Sequence, residues 1–143
     1  MQGYEVIAVK RIGCLILALG LLLLCACGGK TGDAQVKVDS SELYSREELL
    51  KAADAVMDDF QKGFDDCKLL RLEYSESHTL REAEYRKKHY GEENVAVFLA
   101  DFYVGMDAMA VGALIPGQTC SNYQFILSRN ARGEWVVQDK GYA

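Results

Sequence analysis

The sequence predicts an α+β fold. After an N-terminal signal helix, a helix, a strand and a second helix precede further strands of an antiparallel sheet that ends in a β-hairpin. Two capping-box patterns indicate the helices, because Ser45 and Thr79 each stand three residues before a glutamate. Apolar and alternating runs between residues 67 and 139, separated by polar or glycine-containing turns, indicate the strands. This order of elements favours both helices on one face of the sheet.

The first 26 residues have the pattern of an export signal and not of a folded domain. Lys10 and Arg11 precede an apolar run over residues 12–24. A short basic region followed by an apolar core is the layout of a secretory signal. The run is shorter than the ~20 apolar residues that a membrane-spanning helix needs. Extended through residue 26 it comes closer to that length, so an uncleaved anchor is the alternative.

A lipidation motif follows the apolar run. Leu24-Cys25-Ala26-Cys27 resembles the bacterial lipobox, with leucine at −3 and a small residue at −1 relative to the modified cysteine. The resemblance implies that diacylglycerol is attached to the Cys27 thiol and that signal peptidase II cuts before this residue. It also implies a protein that is lipid-anchored on the extracytoplasmic face of the cell membrane. The alternative is a plain signal peptide or single-span anchor with an incidental cysteine.

The mature chain is expected to begin with a flexible linker. Residues 27–44 comprise the lipidated Cys27 and mostly small and polar residues, which are typical of a tether. Residues 45–143 then form a single small α+β domain. Within it, Ser45 caps a helix that runs to about residue 64 with one apolar stripe at helical spacing. The stripe comprises Leu49, Ala53, Val56, Met57, Phe60 and Phe64.

The remaining elements are four strands and one short helix. The first strand alternates, with Leu70 and Leu72 on the same face, and the short helix ends before Gly91, its C′ residue. The strand over residues 95–104 is apolar on both faces and is therefore central. Residues 105–118 fit either a strand that begins with a bend or a mobile loop. The predicted ranges are a strand at 67–74, a helix at 79–90, and strands at 95–104, 119–129 and 134–139.

Two resemblances concern the fold. A long helix ahead of consecutive strands resembles the cystatin-like and nuclear-transport-factor-2-like group, in which such a helix lies on a curved sheet. The segment from Asn130 to Trp135 resembles the terminal hairpin of small Firmicutes lipoproteins of unknown function. Both resemblances imply an architecture, and neither implies an activity, because one fold hosts many functions.

Two cysteines belong to the folded part. Cys14 and Cys25 leave with the signal and Cys27 carries the lipid, which leaves Cys67 and Cys120 in a compartment where disulfides persist. Pairing would close a loop of roughly 50 residues and stabilise the domain by roughly 4 kcal/mol in the chain-entropy model. Two separate buried thiols are the alternative, because cysteine is often a small core residue.

The charge and the ligand spacing limit the classes of partner. The formal net charge of −5 gives no electrostatic reason for nucleic-acid binding, which depends on lysine and arginine neutralising phosphates. No histidine or third cysteine stands at metal-ligand spacing in the folded part. We therefore expect no nucleic acid, no metal and no cofactor. The expected partners are the membrane, through lipid on Cys27, and a protein or small molecule.

One candidate residue for chemistry interrupts the central strand. By alternation Asp101 shares a face with Tyr103, and these two residues form the candidate pocket. If that face lines a pocket, burial would raise the pKa of the Asp101 carboxyl and make a general acid or base. An aspartate at the sheet edge, or one paired with Arg71 or Arg129, is the alternative.

The leading functional hypothesis is a tethered module that binds a ligand or protein partner without catalysis, since no catalytic spacing stands out. The apolar segment 105–118 is its candidate binding surface if it is exposed. A small envelope enzyme with a pocket between helix and sheet around Asp101 is one alternative. An inhibitor or immunity-type protein, which needs no pocket, is the other.

Overall fold

A computed structural model describes residues 28–108 and 114–142 of the chain. These residues form an α+β fold with two helices and one five-stranded sheet in the order β1-β2-β3-β4-β5. The predicted fold class is thereby confirmed, and the predicted signal segment with its lipobox lies outside the described residues. The elements are β1 (Gln35–Lys37), α1 (Arg46–Gly63), β2 (Cys67–Tyr74), α2 (Glu76–Tyr90), β3 (Val95–Val104), β4 (Thr119–Arg129) and β5 (Trp135–Tyr142).

The sheet is mixed and not purely antiparallel as predicted. Strands β2, β3, β4 and β5 are neighbours in chain order, and each pair is antiparallel. Strand β1 adds to the free edge of β2 in parallel, with Val36 opposite Leu72. Before β1, an isolated parallel β-bridge joins Lys30 to Lys68. The N-terminal residues of the described chain therefore extend the sheet.

The helices lie on opposite faces of the sheet, so the prediction that both share one face is wrong. The main core contains the buried residues of α1 together with Phe98 and Phe102 of β3. A second, smaller core joins Val95 and Val97 of β3 to Ala83 of α2. Successive side chains of a strand point to opposite faces, and both faces of β3 are apolar. Each face therefore needs its own helix to exclude water.

The first helix follows its prediction closely. The Ser45 hydroxyl accepts a hydrogen bond from the Glu48 amide at 3.2 Å, which satisfies one of the free amides of the first turn. At the other end the Phe64 amide donates to the carbonyl of Phe60. The predicted stripe is buried apart from Met57, which is half-buried.

The second helix begins three residues earlier than predicted, and the capping role assigned to Thr79 is wrong. The cap position is held by Ser75, and Thr79 lies inside the first turn. The Thr79 hydroxyl donates to the Ser75 carbonyl at 2.8 Å and accepts from the Val97 amide at 2.9 Å. This hydroxyl therefore fastens α2 to β3. Gly91 ends the helix with φ 66°, as predicted for a C-terminal glycine.

Strand β2 contains a bulge that changes which of its residues face the core. The pairing with β3 shifts between Leu69 and Arg71, so Leu69 and Leu72 are both buried while Leu70 is exposed. A bulge inserts one extra residue and interrupts the two-residue alternation. The predicted face shared by Leu70 and Leu72 is therefore wrong.

The segment expected to be a flexible linker, residues 27–44, is attached to the domain where the structure describes it, at residues 28–30 and through β1, although most of its side chains are exposed. The Gly29 amide donates to the Gln61 carbonyl at 3.1 Å, and Lys30 exchanges backbone hydrogen bonds of 2.8 Å with Cys67 and Leu69. A Cβ atom on Gly29 would lie 2.6 Å from the Phe60 ring, so only glycine fits here without a shift. The small residues at 28 and 29 are typical of a tether, but in this structure they permit close packing on α1 and β2.

Candidate functional site

The candidate site is a groove between α1 and β5, which we call the α1–β5 groove. Two adjoining cavities of about 240 and 400 Å³ form it, and they share Ala55, Asp58 and Trp135. Together they approach the size of a small-molecule site. Its defining residues are Asp54, Asp58, Asp59, Lys62, Glu134 and Trp135.

Helix periodicity places the acidic side chains along this groove. Asp54 and Asp58 are four residues apart on α1, so they project from the same side of the helix. Both are exposed, whereas the opposite side of α1 is buried in the core. Strand β5 lies beside that exposed side and contributes Trp135 and Val137. The groove therefore has an apolar floor and a wall in which carboxylates outnumber the two lysines, Lys51 and Lys62.

Trp135 forms the floor and has a hydrogen-bond donor without a partner. Its side chain is only 8% exposed, and its ring meets the edge of Tyr44 at a centroid distance of 5.3 Å. The guanidinium of Arg129 lies 4.8 Å above the ring. The indole Nε1 is buried and has no acceptor among the described residues, although buried indole nitrogens usually find one.

Ion pairs neutralise some groove carboxylates and leave others available. Arg129 donates to Glu48 at one end, and Lys140 donates to Asp59 at 2.6 Å at the other. Asp54 and Asp58 have no cationic partner within residues 28–108 and 114–142. The groove therefore presents two exposed carboxylates beside an aromatic floor.

Asp101 is fixed in an ion pair with Arg71, which confirms one of the two sequence alternatives, and the hypothesis of a pocket carboxyl with a raised pKa is wrong. Arg71 Nε donates to one Asp101 oxygen at 2.8 Å, and the backbone amide of Asn122 donates to the other at 2.9 Å. The Arg71 guanidinium lowers the pKa of Asp101, and this effect and the Asn122 hydrogen bond outweigh the opposing effect of burial. Asp101 and the exposed Tyr103 line none of the three cavities described for this part of the chain.

Asp101 instead stabilises irregular pairing in three strands. The β2–β3 register shifts beside Arg71, and the β3–β4 register shifts between Ala100 and Phe102. Asn122 on β4 adopts φ 55°, a left-handed conformation that asparagine tolerates better than most residues. The Asp101 carboxylate contacts both neighbouring strands at this point, which is a structural role.

Cys67 and Cys120 are free and buried, which is the second of the two sequence alternatives. Cys67 lies opposite Val104 and Cys120 lies opposite Phe102, so β3 separates them. Strands two positions apart are roughly 9.5 Å from each other, which exceeds the ~7 Å limit for a disulfide. Burial raises the pKa of both thiols, which disfavours the reactive thiolate.

Sequence reasoning missed the groove because its two walls are distant in the chain. Asp58 and Trp135 come together only when β5 docks beside α1, and the sequence indicates for Trp135 only a place in the terminal hairpin. The available signal was the spacing of Asp54 and Asp58, which is also that of any solvated helix face. The exposed surface expected at 105–118 is described in part: Met106 and Ile115 are exposed and Leu114 is buried, while residues 109–113 lie outside the described residues.

Among the residues that the structure describes, no group of three or more histidine, cysteine, aspartate or glutamate side chains is placed to hold a metal ion. Neither of the described helices has the length and apolar character needed to cross a bilayer. Comparison with protein-family models, curated proteins and solved structures gave no match.

Proposed function

We propose that this protein is a membrane-tethered lipoprotein of the cell envelope whose extracytoplasmic module binds a ligand or protein partner without catalysis. The lipobox pattern Leu24–Cys27 supports the tether, and the α1–β5 groove supports the binding role. The enzyme alternative loses its candidate residue, because Asp101 is held ionised by Arg71.

We further propose a relationship to the cystatin-like and nuclear-transport-factor-2-like architecture. In support, the long helix α1 lies on one face of four consecutive antiparallel strands, β2 to β5. Helix α2 on the opposite face and the parallel strand β1 are additions to that simple plan. This relationship concerns architecture alone and assigns no ligand.

The groove carboxylates carry the proposal about the ligand. Asp54 and Asp58 are exposed, lie on one side of α1 and border a floor formed by Trp135. A cation that enters the groove gains from both charges, and the apolar floor reduces screening by water. The proposed ligand therefore carries an amine or guanidinium group, either as a small molecule or as a side chain of a partner.

Fluorescence of the single tryptophan tests the groove directly. Trp135 is the only tryptophan in the chain, so its emission reports on the floor of the groove without a label. We expect spermidine to change this emission saturably, and Asp58→Asn to weaken binding about tenfold, or ~1.4 kcal/mol. Asp39→Asn, which removes an exposed carboxylate outside the groove, is the matched control and leaves the affinity unchanged. Equal affinity in the two variants contradicts the proposal.

Intact mass tests the tether. Protein purified from a bacterial membrane fraction is expected to begin at Cys27 and to carry a diacylglyceryl group. Cys27→Ala removes the acceptor thiol and is expected to abolish both the modification and the cleavage. An unmodified chain that retains its first 26 residues would show an uncleaved anchor and contradict this part of the proposal.

A further inference from the structure

We propose that one end of the sheet lies against the lipid bilayer, through the exposed apolar residues Met106, Ile115 and Tyr142. We call this surface the anchor-side end, because the described chain begins there at Gly28. The inference rests on the proposed lipidation of Cys27. It adds a defined contact between domain and membrane, and with it a fixed orientation of the α1–β5 groove.

The described chain contacts the domain from its first residues, so no flexible linker separates Cys27 from the domain. Gly29 is buried, its amide donates to the Gln61 carbonyl, and Lys30 pairs with β2 beside Cys67. Only Gly28 separates the lipid-bearing residue from this packed segment. One residue spans at most ~3.6 Å, so a lipid on Cys27 holds this end of the domain at the membrane surface.

Exposed apolar side chains gather at the same end. Met106 is 71% exposed, Tyr142 57% and Ile115 56%. Met106 follows Gly105, whose amide donates to the Asp66 carbonyl immediately before β2. Ile115 and Tyr142 border one small cavity of about 60 Å³ at the ends of β3, β4 and β5. The lipid attachment point and these side chains therefore share one end of the sheet.

The chemistry of this end fits a bilayer interface. Methionine and isoleucine are apolar, and tyrosine is typical of the boundary between hydrocarbon and headgroups. Lys30 and Lys62 are exposed near this end, but so are Asp65 and Asp107. Because charges of both signs surround the apolar residues, the contact does not depend on anionic lipid. It is therefore expected on a zwitterionic surface.

This contact places Trp135 far from the membrane. Trp135 begins β5 and Tyr142 ends it, and seven residues of strand span about 23 Å. The domain then stands with β5 roughly along the membrane normal. The end of the groove formed by Trp135 and Glu134 faces away from the bilayer, where a ligand or partner can enter.

Quenching by brominated lipid tests the orientation in the full-length lipidated protein. The vesicles are phosphatidylcholine with bromine in the acyl chains. In a Trp135→Phe background, Ile115→Trp is expected to lose about half of its emission, because interfacial residues lie ~5–10 Å into the headgroup and acyl boundary. Leu80→Trp in the same background is the matched control, since Leu80 is an equally exposed apolar residue on α2 (55%). Neither this control nor native Trp135 is expected to be quenched.

The outcomes separate this inference from the proposed function. A diacylglyceryl mass with equal emission from Ile115→Trp and Leu80→Trp overturns the orientation and leaves the lipoprotein proposal standing. A second copy that covers this end would give an unquenched Ile115→Trp together with a dimeric mass in detergent, and this also overturns the inference. An absent diacylglyceryl mass overturns both proposals. Met106→Trp replaces Ile115→Trp if that variant does not fold.

Discussion

Asp101 is held by donors from two strands, one on each side of its own. Both carboxylate oxygens are occupied, one by the Arg71 guanidinium and one by the Asn122 amide. Two opposing effects act on its pKa: burial raises it, and the positive charge and hydrogen bonds lower it. The charge and the hydrogen bonds prevail because the side chain remains partly exposed, at 22%, and Arg71 is in direct contact. The same residue on a closed apolar face would have the opposite shift.

We expect Asp101→Asn to destabilise the protein by about 1–2 kcal/mol at pH 7, because it removes the charge that pairs with Arg71. The pKa of Asp101 is lowered in the folded state. Its stabilising contribution is therefore present above the unfolded value of ~3.9 and is lost as pH falls through the folded pKa. Urea unfolding of both proteins at pH 7 and pH 3 measures this, and the difference should shrink at pH 3. A constant difference would mean that Asp101 stabilises the fold independently of its charge.

Elements whose signals are local could be predicted from the sequence. The Ser45 cap, the Gly91 terminus and the bounds of β3 and β4 each depend on residues that are neighbours in the chain. Thr79 was misassigned because its hydroxyl has a partner in β3, the Val97 amide, 18 residues away. A capping-box pattern contains no information about such a partner.

Elements that depend on distant pairing could not be predicted in this way. Strand β1 has three residues and exists because the free edge of β2 accepts it. The bulge in β2 depends on the register with β3 and inverted the predicted face of Leu70. The candidate site follows the same rule: Arg71 was named as one alternative partner of Asp101, but the groove beside Trp135 requires α1 to meet a strand some 80 residues later.

At the scale of the whole molecule, the proposed attachment point and the proposed binding groove lie at different ends. The described chain enters the domain beside Gln61 and Cys67, at the end of the sheet where β5 finishes. Trp135 begins β5 and therefore lies at the opposite end of the sheet. A flexible linker would leave these two ends without a fixed relation to the membrane. The packed segment 28–30 instead joins the proposed lipid site rigidly to the sheet. If the proposed tether is correct, the orientation of the groove relative to the membrane therefore depends on the contacts of Gly28 and Gly29.

Gly29→Ala tests this rigid connection. A Cβ atom at residue 29 would lie 2.6 Å from both the ring and the carbonyl oxygen of Phe60, and such overpacking in a buried contact costs about 1–3 kcal/mol. Gly32→Ala is the matched control, since a Cβ there meets nothing within 4 Å, and we expect a change within about 0.5 kcal/mol. Urea unfolding followed by Trp135 emission measures both variants. If Gly29→Ala unfolds at the same urea midpoint as Gly32→Ala, residues 28–30 are not part of the folded unit. The domain would then be joined to the lipid by a flexible tether.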